Sequence, residues 1–133
     1  MIEKAATESQ DKAQIGLTPV ADQQLEDLLK TGWFADRQDA YRVAITVALA
    51  RRLEPSAAEM VGVRTAYNFT GGVDRDGKLR QLIAALNPTE AGRPAIFSER
   101  LAHAGLAFLF NHLVIDSGTL ADALDPDQTA PWA

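Results

Sequence analysis

The stretch "GWFADRQDAYRVAI", Gly32 to Ile45, decides how this chain is read. A glycine, an aromatic pair and an Asp-Arg-Gln-Asp cluster lead at once into an apolar run. Asp36 has the short side-chain acceptor that satisfies orphan amides at a helix start, and Asp39, three residues on, makes a shortened capping box with favourable placement on the helix dipole. From Ala40 to Leu53, Tyr41, Val43, Ala44, Ile45, Val47, Ala48 and Leu49 cover most of the circumference. A helix apolar nearly all round must be buried from several sides. Either the C-terminal half or a second chain has to cover it.

Working outward, Gly32 sits where a left-handed residue would stop the preceding helix. That helix opens at Thr18-Pro19, an N-cap followed by proline at the first helical position, where the missing N–H costs nothing. In "VADQQLEDLLKTG" (20–32), Ala21, Leu25, Leu28 and Leu29 share one face, and Asp22, Glu26 and Lys30 the other. Before it, "KAQIGLT" (12–18) alternates Ala13, Ile15 and Leu17 with Lys12, Gln14, Gly16 and Thr18. Period-two alternation predicts a short strand with one buried face.

Beyond the buried helix, Arg51-Arg52 complements its dipole, and Pro55 marks a break or the start of a short helix through Met60. "VGVRTAYNFTGGVDRDG" (61–77) reads as irregular or partly extended, closed by glycine-rich turns. "KLRQLIAALNP" (78–88) is a short helix ended by Asn87-Pro88. "AIFSERLAHAGLAFLFNHLV" (95–114) spaces Phe97, Leu101, Gly105, Phe108, Leu109 and His112 helically and forms the main helix of the second half. "DSGTLADAL" suits a last short helix. The fold class expected is therefore mainly α, with a short N-terminal strand and a helix-corner-helix unit at residues 12–54. A C-terminal helical region follows at 55–125, and mobile tails lie at 1–11 and 126–133.

The chain has 133 residues, 47% hydrophobic and 23% charged, enough apolar side chain for one core. It has no cysteine, which removes disulfides and thiolate metal sites, and no apolar stretch long enough for a bilayer or a secretory signal. A bacterial-type cytoplasmic protein without membrane partners is expected. The net charge of −5 argues against a phosphate-tracking surface, because nonspecific nucleic-acid affinity comes from Lys and Arg.

No cluster has catalytic or metal-binding spacing. His103 and His112 are nine residues apart, not the i, i+4 pair of a helical metal site. Glu99 and His103 have i, i+4 spacing and read as a helix surface pair. "DRDG" (74–77) lacks the downstream acid of a calcium loop, with Ala85 in its place, and suits a turn that caps the next helix. "TGG" (70–72) suits turn chemistry better than an anion nest. Ser56, Ser98 and Ser117 have no nucleophile context. Trp33 and Phe34 are core lid or base-stacking pair, and Arg51, Arg52 and Arg64 would make a basic patch if folded together. No enzyme activity, metal or cofactor is expected.

The "KAQIGLT" strand, the "LLKTGWFADR" corner and the "RQDAYRVAITVAL" helix together resemble the ribbon-helix-helix family of DNA-binding proteins, over about a third of the chain. The resemblance implies an intertwined homodimer in which strands from two chains pair and the second helices bury one another. Double-stranded DNA would be the partner, and the function that of a transcriptional or partition-type regulator. Carried onto this sequence, the ribbon contacts are Lys12, Gln14 and Gly16, and the phosphate clamp is Asp36, Arg37 and Gln38. The dimer or assembly interface is Ile15, Leu17, Tyr41, Ile45, Val47 and Leu49. Gln14 suits adenine, whereas Gly16 offers a base no side chain, and Asp36 with Asp39 puts negative charge where a phosphate would dock. Over more of the chain, the order of two opening helices, a turn-rich middle, "LRQLIAALNP" (79–88) and "ERLAHAGLAFLFNHL" (99–113) is similar to the small all-helical subunit of bacterial phosphorothioate DNA-modification systems. That likeness implies an alternative, a non-enzymatic assembly subunit that oligomerises through the same helices and docks a larger protein.

Overall fold

The computed structural model describes residues 11–55 and 61–125; the expected tails, Asp11 apart, and the short helix expected up to Met60 lie outside them. The described chain is mainly helical, with one short antiparallel sheet. In order it forms β1 (Gln14–Leu17), α1 (Pro19–Leu29), α2 (Arg37–Ala50), β2 (Arg64–Asn68) and a π-helical turn (Phe69–Val73). Then come α3 (Lys78–Leu86), a 3-10 turn (Pro88–Glu90) and α4 (Pro94–Leu109). A second π-helical turn (Phe110–Ile115) continues α4, and α5 (Leu120–Leu124) follows.

The local signals act as their chemistry requires. Thr18 Oγ1 accepts from the Ala21 amide at 3.2 Å, and Pro19 opens α1. Gly32 has φ +83°, the left-handed stop after that helix. At the head of α2, Asp36 Oδ1 accepts from the Asp39 amide at 2.8 Å, while Asp39 Oδ2 accepts from Ala35 N–H at 3.1 Å. The two carboxylates thus satisfy amides reciprocally, which fixes the corner between α1 and α2.

The C-terminal half covers α2. Ala40, Tyr41, Ala44, Ile45, Val47 and Ala48 are fully buried, and α4 is the principal neighbour of α2. At their crossing the backbones almost touch, since a Cβ on Gly105 would lie 2.0 Å from the Ala44 carbonyl oxygen. Leu25 and Leu28 of α1, Leu101, Leu106 and Leu109 of α4, and Phe69, Leu79 and Ile83 complete one continuous core. Ile15, Leu17, Tyr41, Ile45, Val47 and Leu49, expected at an interface between chains, are all buried in this intramolecular core. The physical reason is that α4 presents an apolar surface long enough to meet the same face.

The strand partner is likewise internal. β1 pairs antiparallel with β2 of its own chain: Gln14 faces Asn68, Ile15 faces Tyr67, Gly16 faces Thr65 and Leu17 faces Arg64, with a bulge that leaves Ala66 unmatched. Gly16 is required there, because a Cβ would lie 1.9 Å from the Arg64 carbonyl oxygen. Ile15 and Leu17 point into the core and Gln14 is exposed, but the expected alternation is incomplete: Ala13 is exposed, and Gly16 is buried against Arg64 of β2.

Candidate functional site

The sheet has two outer edges, and they differ. On the β1 edge, two α4 side chains take the place of a third strand. The Glu99 carboxylate, buried in the core, accepts from Gly16 N–H at 2.9 Å and from Lys12 Nζ at 2.8 Å. His103 Nε2 accepts from Thr18 N–H at 3.1 Å, and its Nδ1–H donates to the Glu99 carbonyl at 2.7 Å, an arrangement that needs the neutral ring. Burial lowers the His103 pKa, and the Glu99 contacts offset that only in part. Tyr41 Oη donates to the Gly16 carbonyl at 3.0 Å; burial first, and the Glu99 charge second, hold its pKa well above the usual tyrosine range. Glu99 and His103, expected as a helix surface pair, are instead buried edge caps for β1.

The β2 edge is different: among the described residues no strand pairs with it. Beside it lies a groove of about 400 Å³, lined by Leu17, Pro19, Asp22, Arg37, Arg64 and Thr65. Arg37 crosses the groove to ion-pair with both Asp22 and Glu26 of α1. Burial works against its charge, but the hydrogen bond to Asp22 and the surrounding negative charges outweigh it and raise its pKa. Arg64 has no ion-pair partner among the described residues. Val61, which precedes the strand, and Val20 of α1 are 71% and 68% exposed. Tyr67 packs its ring on Tyr41 with centroids 4.9 Å apart, and burial raises its pKa. Its buried hydroxyl lies near the Arg37 guanidinium, whose charge works against that rise.

The residues assigned to DNA contact are dispersed among these features. Lys12 is held by Glu99, Gly16 is buried against β2, Asp36 caps α2, and Arg37 is neutralised by α1. A Cβ on Gly72 would meet Gln38 Oε1 at 3.3 Å, so Gln38 lies over the π-helical turn. Only Gln14 stands on the outer face of the sheet, where its amide donates to Asn68 Oδ1 at 3.1 Å. Arg51 is committed elsewhere: its guanidinium donates to the Asp122, Ala123 and Asp125 carbonyls, capping α5, and lies 4.7 Å over the Phe108 ring.

The remaining candidates have structural roles. In "DRDG", fully buried Asp74 accepts from the Leu79 and Arg80 amides at 2.8 and 3.1 Å and from Arg80 Nε at 2.7 Å, capping α3. Asp76 accepts from Lys78 N–H and pairs with Arg42, and those two hydrogen bonds, in that order, lower its pKa. His112 Nε2–H donates to the Thr119 carbonyl at 2.7 Å, and its ring stacks on Phe108. Phe34 is buried, so it serves as core lid, whereas Trp33 beside it is 46% exposed. Ser56 lies outside the described residues. Among the described residues no three His, Asp or Glu are placed to hold a metal ion, and no helix is long and apolar enough to cross a membrane.

Sequence reasoning missed β2 as a strand and its free edge as a feature. The signal was present, because Val63, Thr65, Tyr67 and Phe69 occupy alternate positions. No known protein family, curated protein or solved structure matches this chain.

Proposed function

We propose that this chain is a non-enzymatic assembly subunit that associates with itself and serves a larger complex. The observation that supports the reading is the outer edge of β2, with which no strand pairs among the described residues. A sheet edge offers rows of unpaired N–H and C=O groups that gain by being covered. Buried polar side chains serve the packing: Glu99 and His103 cap the β1 edge, and Asp74 caps α3. The likeness of the element order to the small subunit of phosphorothioate DNA-modification systems points the same way. The test is the mass of the purified chain in solution, measured over a concentration series. Dimers or larger species support the reading, and a monomer throughout removes its self-association.

A second reading, DNA binding, is favoured by one observation. Gln14 and Asn68 stand side by side and exposed on the outer face of the sheet, and carboxamides pair well with adenine. Fluorescence anisotropy with a labelled duplex from the gene's own upstream region and with a scrambled duplex, across a salt series, tests it. Sequence-selective binding that weakens as salt rises and is lost in Gln14→Ala supports it. Equal signals from both duplexes at every salt concentration exclude a sequence reader.

A further inference from the structure

We propose that two copies of this chain join through the outer edges of their β2 strands, antiparallel about a two-fold axis at Ala66, to make one four-stranded sheet. The proposal rests on the self-association reading and adds the edge used and its register.

Three observations carry it. The first is where growth is possible. β1 lies between β2 on one side and Glu99 with His103 on the other, so the sheet can extend only through β2. A sheet that grows on one side closes at two copies, the commonest closed symmetry, and does not run on into a fibre. Two strands are a marginal sheet, and four are a stable one.

The second is that "RTAYN" (64–68) complements itself. About Ala66, Arg64 of one copy faces the partner's Asn68, and Thr65 faces the partner's Tyr67. The smallest side chain of the strand sits on the axis, and no like charges oppose each other. A two-fold at Arg64 would instead place the two guanidinium groups face to face. The third is that the positive charge at this edge is unspent. Arg64 lacks an ion-pair partner among the described residues, while Arg37 in the same groove is fully paired.

The register gives a test with opposite signs. Asn68 is exposed and its side chain bonds only to exposed Gln14, so its replacement leaves the core intact. Asn68→Lys sets a cation against each partner Arg64, and Asn68→Glu sets an anion there. By sedimentation equilibrium, Asn68→Lys weakens the dimer and Asn68→Glu tightens it, each by roughly fivefold in Kd at low salt. Both effects shrink as salt rises. Arg64→Glu combined with Asn68→Lys restores an opposite-charge pair and tightens the dimer as Asn68→Glu does, by roughly fivefold in Kd relative to the parent.

General repulsion between two acidic chains predicts the reverse order, because Asn68→Lys lowers the net negative charge. Unfolding midpoints, measured in parallel, confirm that each variant folds. A parent dimer whose Kd is the same in both single variants, or moves in the reverse order, overturns this edge and register and leaves the self-association reading standing. A parent that stays monomeric overturns both.

Discussion

At the scale of single residues, the strongest constraints come from buried polar groups used as caps. Asp74 satisfies two backbone amides at the head of α3 and holds Arg80. Removing it leaves the buried Leu79 amide without its acceptor, so Asp74→Ala costs about 2 kcal/mol in urea unfolding. Asp76→Ala, at a more exposed carboxylate two residues away, costs clearly less. A smaller loss at Asp74 than at Asp76 contradicts the assignment. His103 makes stability depend on pH. Its folded pKa lies below the ordinary value of 6.5, because burial disfavours the imidazolium. Below that value the unfolded chain takes up a proton that the folded chain resists. The contribution of His103 is therefore complete above about pH 7 and is lost progressively as pH falls through about 6.5 toward the lower folded pKa. Thermal unfolding followed from pH 8 to 5 should show that decline, and His103→Gln should flatten it. An identical pH slope in the variant removes His103 as its source.

At the scale of elements, close backbone approach sets the packing. Gly105 lets α4 lie on the Ala44 carbonyl, and Gly16 lets β1 lie against Arg64 of β2. Gly105→Ala must push the two main helices apart and is expected to cost about 2 kcal/mol or more in chemical unfolding, although alanine is the better helix former. A variant as stable as the parent contradicts this geometry. The element order was largely legible in the sequence because caps and periodicity are local signals. Thr18-Pro19, Gly32 and Asp36 with Asp39 act as their side chains dictate. The partners were less legible, because pairing is a long-range property. An apolar α2 states that it needs cover without stating whose, and α4 supplies that cover more than fifty residues downstream. Glu99 and His103 show the same limit: i, i+4 spacing looks like a surface pair until β1 is laid against it.

At the scale of the whole molecule, the candidate contacts for a phosphate are mostly spent inside the fold. Lys12, Arg37, Arg42 and Arg80 each hold a carboxylate, and Arg51 holds three carbonyls. Arg51→Ala should therefore loosen the C-terminal segment, with faster amide exchange in α5 and unchanged exchange in α1; uniform exchange across both helices contradicts that local role. Function was the least legible level. A sheet edge is defined only after both strands are placed, and the sequence assigned β1 a partner from another chain where β2 supplies it. Self-association would use the other side of β2, with which no strand pairs and where Arg64 has no ion-pair partner among the described residues. The most direct test is the mass of the unmodified chain by sedimentation equilibrium, from low to high micromolar concentration. The account predicts a reversible, concentration-dependent rise from the 14.4 kDa monomer to twice that mass. A single monomer mass across the whole range would contradict it.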